Sequence, residues 1–193
     1  MIEWPEGLVP YKMDWGRVFN NRAFTSTFSK SQQIRTYPGA YFQCSLQFRN
    51  LFEADERKLT TFIGQLQGMA GTFKLYPWRR ARAQDAGTAR VNGNGNASGT
   101  LPTRGWKKST LVLRAGDYIT VNDQLLEVLL DVTSNTQGNA TIQVSPWLRT
   151  PPSDGTEINY TRPYAVMRLA SDEQAQSVEP LIAGGTLDCR EAF

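Results

Sequence analysis

The chain has 193 residues, 40% of them hydrophobic and 20% charged, with a formal net charge of +3 and no histidine. That apolar share excludes a largely disordered chain, and a domain of this length buries roughly 70% of its unfolded surface, so neither disulfide nor metal is needed to hold it together. The missing histidine excludes Ser-His-Asp triads, Cys-His pairs, His-ligated zinc and an imidazole proton shuttle.

Residues 1–30 carry Trp4, Pro5, Pro10, Trp15 and Phe19 without a helical period, and read as an extended arm running into a strand around Ala23–Phe28. After the turn residues Tyr37-Pro38-Gly39, the segment Tyr41–Arg49 alternates. Phe42, Cys44, Leu46 and Phe48 share one face and Gln43, Ser45, Gln47 and Arg49 the other, the pattern of a half-buried antiparallel strand. A helical period takes over at 53–68, where Leu59, Phe62, Ile63 and Leu66 form one apolar stripe. Glu53, Asp55 and Glu56 suit the positive end of its dipole, and Gly68 and Gly71 close it. Thr72–Tyr76 alternates again, with Phe73 and Leu75 inward.

The composition shifts at Pro77. From Arg79 to Gly105 the chain is glycine-rich and poor in apolar residues, so it reads as a long loop with Gly93–Gly99 at its tip. Strands are then predicted at Thr110–Arg114, Tyr118–Val121, Leu125–Asp131, Ala140–Val144 and Glu157–Tyr160. Ala115-Gly116-Asp117, Asn122-Asp123 and Gln137-Gly138-Asn139 are the turns between them. Five short strands with such corners predict a small antiparallel barrel. Tyr164–Leu169 and Thr186–Cys189 look like strands of the first domain resuming. The expected fold is therefore mainly β: a β-sandwich-like domain with one helix, built from 1–80 and 162–193, interrupted by a small OB-like antiparallel β-barrel over 81–161.

The first residues lack the basic and apolar regions of a signal peptide, and apolar runs such as Leu125–Val132 are strand-sized. Folding in a reducing cytosol is expected, with Cys44 and Cys189 as buried thiols acting as small apolar groups. Their separation in sequence excludes a CxxC pair.

Gly93–Gly99 does not have the spacing of a dinucleotide loop, and no GxxxxGK[ST] occurs. Asp117, Asp123, Glu127 and Asp131 are the densest carboxylates for a glycosidase-type acid and base. Asp117 and Asp123 sit in turns, however, and Glu127 and Asp131 share a strand face as solvated residues do. No catalytic group, cofactor or metal site is read, and no enzyme is expected. Charge is uneven: residues 74–108 hold eight basic side chains against Asp85 alone, and residues 115–193 hold eleven acids against four arginines. A chain so divided suits attraction between copies or between different neighbours. The candidate interface residues are Arg79, Arg80, Arg82, Lys107 and Lys108 in the basic run, and Trp4 and Trp15 on the arm, since tryptophan anchors interfaces. For both tryptophans the competing reading is packing on their own domain. With Trp78 and Trp106, the same basic run has the composition of a single-strand nucleic-acid footprint.

Six segments in succession carry a resemblance: Tyr37-Pro-Gly-Ala-Tyr-Phe, the stretch from Leu59 to Tyr76, Leu113-Arg-Ala-Gly-Asp-Tyr-Ile-Thr-Val, Val144-Ser-Pro-Trp-Leu-Arg, Arg162-Pro-Tyr-Ala-Val-Met-Arg-Leu and Glu191-Ala-Phe. In order and spacing, over most of residues 20–193, the chain resembles the distal tail proteins of long-tailed bacteriophages, in the form whose belt domain carries a small OB-like barrel. The resemblance implies a structural virion protein of the tail tip, assembled in the host cytoplasm, whose copies form a hexameric ring. Its implied partners are further copies of itself, the tail tube protein and the hub, baseplate and tip proteins. It implies no membrane and no cofactor, and DNA that passes through the ring without specific binding. The chain is too short for the carbohydrate-binding-like module of some family members. The alternatives are a nucleic-acid-binding small barrel and another tail connector, such as a tail terminator.

Overall fold

The computed structural model describes residues 1–77, 85–94, 98–179 and 182–193. In chain order the first strands are β1 (Lys12–Val18), β2 (Asn21–Thr25), β3 (Gln32–Thr36) and β4 (Tyr41–Leu51), followed by the helix α1 (Glu53–Leu66) and β5 (Phe73–Leu75). Next come β6 (Gly87–Val91), β7 (Thr100–Trp106), β8 (Leu111–Leu113), β9 (Tyr118–Val121), β10 (Gln124–Val128), β11 (Val132–Thr133) and β12 (Ala140–Ser145). The last are β13 (Ala165–Leu169), β14 (Gln176–Val178) and β15 (Ala183–Glu191). The chain is mainly β, with 46% strand and 9% helix, as the alternating patterns predict.

Two compact units are present. The first takes Met1–Gly16, the described residues from Phe42 to Pro77, and Tyr164–Phe193; the second takes Arg17–Tyr41 and the described residues between Asp85 and Pro163. The expected domains put residues 17–41, with Arg162 and Pro163, in the first domain, whereas these residues belong to the second unit. Two contacts root that segment in the second unit. The Arg17 guanidinium lies 2.8 Å from the Glu127 carboxylate on β10, and Arg149 Nη2 donates to the Ala40 carbonyl at 3.2 Å.

In the first unit the strands run β1-β4-β15-β13-β5, with β14 added on β15. Strand β4 buries Phe42, Cys44, Leu46 and Phe48, the alternation predicted for it. Helix α1 buries Leu59, Phe62 and Leu66 and sets Phe62 edge-on to Phe73 of β5, ring centroids 5.1 Å apart. It ends where Gln67 turns left-handed. Gly71 follows so close to the last turn that a Cβ there would sit 2.7 Å from Leu66 Cα, which is why a glycine stands at that position. Cys44 and Cys189 are directly opposed on β4 and β15, both buried and free. Burial pushes the Cys189 thiol up to about 12, and Cys44 is raised by burial and then by Cys189 beside it. Both stay protonated at neutral pH, as apolar spacers.

The second unit holds the sheet β6-β7-β12-β10-β9. Its two edge strands are joined by one later segment: Arg90 of β6 bridges Glu157, and Thr120 of β9 bridges Asn159. Ile158 donates to Ala89, and Thr120 and Asn159 exchange both backbone bonds. This closes the sheet into a barrel around Val91, Leu101, Ile119, Leu126, Ile142, Val144 and Ile158. The β8–β11 pair adds Val112, Leu113 and Val132 to the same core. Asn122 and Asp123, both at positive φ, join β9 to β10 in the two-residue hairpin that their residue types predict.

Strands β6 and β7 overturn the expected loop over 79–105. Gly87 and Gly105 are at positive φ and lie where the two backbones approach so closely that a Cβ at Gly87 would meet Lys107 N at 3.1 Å. They mark a bulge, seen as a register shift between Gly87 and Arg90, rather than a loop.

The closing segment is tied by side chains too. The Tyr160 hydroxyl donates to the Gly87 carbonyl at 2.6 Å and accepts the Ala86 N–H at 3.1 Å. The Asp154 carboxylate accepts the Gly93 N–H at 2.7 Å and pairs with Arg104 at 2.9 Å. That backbone bond first, and Arg104 second, hold Asp154 below the usual carboxylate value of 3.8. Tyr160→Phe leaves two backbone groups short of a partner and is expected to cost about 1–3 kcal/mol in urea unfolding of the second unit. Because the Asp154 value is depressed on folding, its contribution is present above the ordinary value and lost as pH falls through the lowered one. Asp154→Asn therefore flattens the melting-temperature profile on the acid side of the ordinary carboxylate value; an unchanged acid limb refutes this assignment.

Candidate interaction surface

Among the described residues no three His, Cys, Asp or Glu side chains gather as a metal site would require. The carboxylates weighed for acid–base work have structural partners. Asp117 accepts the Arg114 N–H, Asp131 accepts the Ala115 N–H, and Glu127 pairs with Arg17.

Of the predicted interface residues, Trp4 and Trp15 belong to the first unit and Lys107 and Lys108 to the second. Trp4 lies in the aromatic cluster of the first unit, its ring 5.1 Å from Phe62, 5.8 Å from Phe73 and 6.3 Å from Phe48. Its indole N–H donates to the Leu8 carbonyl at 2.7 Å. Trp15, on β1, packs 5.7 Å from Phe42. Residues 1–16 are thus part of the first unit, and its own aromatic rings take up much of both tryptophans. Lys107 pairs with Asp85 at 3.1 Å, which together with the Gly87 N–H holds Asp85 below its usual value. Lys108 is exposed. Trp106, the proposed stacking partner beside them, is 4% exposed; its N–H donates to Thr103 at 2.7 Å and its ring packs on Tyr160. It has no free face for a base. Trp78, Arg79, Arg80 and Arg82 lie outside the described residues.

The surface that sequence reasoning missed is the ribbon of β2 and β3. Asn21 pairs with Thr36, Arg22 with Arg35, Ala23 with Ile34, Phe24 with Gln33 and Thr25 with Gln32. Every residue of both strands is exposed, including Phe24 and Ile34. The loop between them is closed by the Ser26 N–H on the Ser31 carbonyl and the Lys30 N–H on the Ser26 carbonyl, with Lys30 left-handed and the Ser26 hydroxyl accepting the Ser29 N–H. This ordered tip holds Phe28 98% exposed.

Arg22 directly opposite Arg35 is a destabilising arrangement, and neither forms an ion pair with a described residue. The barrel treats the same problem differently. There Arg90 opposes Arg104, but Arg104 has Asp154 and Arg90 donates to the Gly155 carbonyl. The one sequence signal was available: between Asp14 and Glu53 the chain has five basic side chains and no acid.

At the root of the ribbon is a cavity of about 320 Å³, lined by Phe19, Asn20, Asn21, Thr36, Tyr37, Pro38, Gly39, Ala40 and Ser145-Pro146-Trp147. No lining residue is charged. Trp147 is 53% exposed, and its indole edge rests on Gly99, where a Cβ would stand 2.9 Å from Nε1. Its carbonyl accepts from Gln124 Nε2 at 2.9 Å. Residues 36–40 and 145–147, distant in the chain, meet at this cavity.

No known protein-family model matches the chain, and no curated protein matches it.

The tryptophan placement separates two roles. Trp4→Ala is expected to lower the unfolding free energy of the first unit by about 2–4 kcal/mol in a denaturant titration, because it empties an aromatic cluster. A loss of self-association with no loss of stability instead assigns Trp4 to an interface.

Proposed function

We propose that this protein is a ring-forming adaptor of the bacteriophage tail tip, whose copies, six by the family resemblance, join the tail tube to the hub and host-recognition proteins. The observation that carries this reading is the uncovered β2–β3 ribbon. A two-stranded ribbon alone is marginal in water, and this one also exposes Phe24, Phe28 and Ile34 and opposes two arginines. Cover from another molecule offsets those costs. In a closed ring each copy meets its neighbour through two different patches, so each ribbon gains that cover. The division of charge between residues 74–108 and 115–193 supports the same reading. The adaptor role needs no catalytic group.

A second reading has its own observation. Arg22, Lys30 and Arg35 stand among the exposed Phe24 and Phe28, the mixture of cations and rings that binds single-stranded nucleic acid.

Light scattering with negative-stain imaging of the nucleic-acid-free protein tests the first reading. Closed rings with a mass near six times 21.6 kDa are expected; a monomer at every concentration up to the millimolar range overturns it. An oligonucleotide complex that dissociates steeply between about 50 and 200 mM salt is the outcome that favours the second.

A further inference from the structure

We infer that Phe28 at the tip of one copy's ribbon seats in the Phe19–Tyr37–Trp147 cavity at the root of the next copy's ribbon. The inference rests on the ring reading and names the contact that would build it.

The knob is a phenyl ring held in water by an ordered turn. Phe28 is 98% exposed, in a loop fixed by the Ser26–Ser31 and Lys30–Ser26 backbone bonds and the Ser26 hydroxyl. The backbone that carries Phe28 is therefore already set, and docking orders the ring rather than the loop. The hole is equally prepared. Trp147 is braced by Gly99 and by Gln124 on its carbonyl, while Asn20 Nδ2 donates to the Pro38 carbonyl across the cavity wall at 2.9 Å.

Size and chemistry match. An apolar cavity of about 150 Å³ accommodates a benzene ring, so about 320 Å³ has room for the phenyl group and part of its flanking backbone. The cavity is lined by the aromatic Phe19, Tyr37 and Trp147 together with the uncharged polar Asn20, Asn21 and Thr36. The tip has a phenyl ring flanked by the hydroxyls of Thr27 and Ser29. An aromatic anchor inside a polar, water-excluding rim is the anatomy of an interface hot spot.

Position decides the occupant. Five paired residues separate cavity from tip, about 15 Å of ribbon at the strand rise. Phe28 therefore cannot fold back into its own cavity while the ladder stands. A second copy offers both halves, and each copy then uses its tip on one neighbour and its root on the other. That is a head-to-tail contact, the kind that propagates and closes into a ring.

The test separates the contact from the ring. Phe28→Asp removes the knob and keeps the hole; Tyr37→Ala with Trp147→Ala removes the hole and keeps the knob. Light scattering is expected to show rings for the unaltered protein, monomers for each variant alone, and a two-chain complex when the variants are mixed in equal amounts, since one good half remains on each. The mixture also controls for folding, because a misfolded variant cannot complement. Rings that persist in Phe28→Asp, or a mixture that stays monomeric, overturn the contact while leaving the ring reading in place. A monomeric unaltered protein overturns the ring reading and the contact with it.

Discussion

Backbone hydrogen bonding at strand edges is the constraint on which the rest of the second unit depends. A sheet edge left open in water is a site for unwanted pairing, and the barrel removes two such edges at once. Residues 155–159 bond to β6 on one side and β9 on the other, so the core from Val91 to Ile158 is enclosed. Gly87 and Gly105 permit the bulge at the β6–β7 end of this arrangement. Tyr160 then ties that end to the closing segment through Ala86 and Gly87.

Against that economy the β2–β3 ribbon stands out. Among the described residues its strands pair with each other, its side chains are exposed, and its arginines oppose one another. The barrel shows that the chain can neutralise a crossed arginine pair, because Asp154 and Gly155 serve Arg104 and Arg90. Under the proposed ring contact, a neighbouring copy supplies what the ribbon lacks. In that proposal the exposed Phe28 at the tip and the aromatic cavity at the root are the two halves of one contact.

The first unit follows a different logic. There the N-terminal residues are drawn into the core through Trp4 and Leu8, and α1 packs against β5 through the Phe62–Phe73 contact. Cys44 and Cys189 occupy facing positions on adjacent strands, where burial keeps both as thiols. Glu191 is fully buried and accepts the Phe42 N–H at 3.1 Å, which joins the last strand to the start of β4.

Local pattern was enough wherever burial has a short period. The alternation of Tyr41–Arg49, the 3.6-residue stripe from Leu59 to Leu66, the Asn122-Asp123 hairpin and the strands β8, β9, β10 and β12 were legible in the sequence, because each depends on neighbours within a few residues. The strand expected at Glu157–Tyr160 is instead a pair of isolated bridges to β6 and β9, and β11 and β14 were not anticipated. Strands β6 and β7 were not legible, since Gly87, Gly105 and Pro102 are the residues of loops until a partner backbone explains them. Nor was the role of Trp106, whose neighbouring lysines suggest a surface while Tyr160 and Thr103 bury it. The pairing of Cys44 with Cys189, the attachment of residues 17–41 to the second unit and the cavity made from Phe19, Tyr37 and Trp147 all join residues distant in the chain. Sequence determined that this protein is mainly β with one helix and without histidine chemistry. Only the tertiary structure decided which exposed side chains face one another, because register and strand closure are set by long-range hydrogen bonds that leave no local period to read.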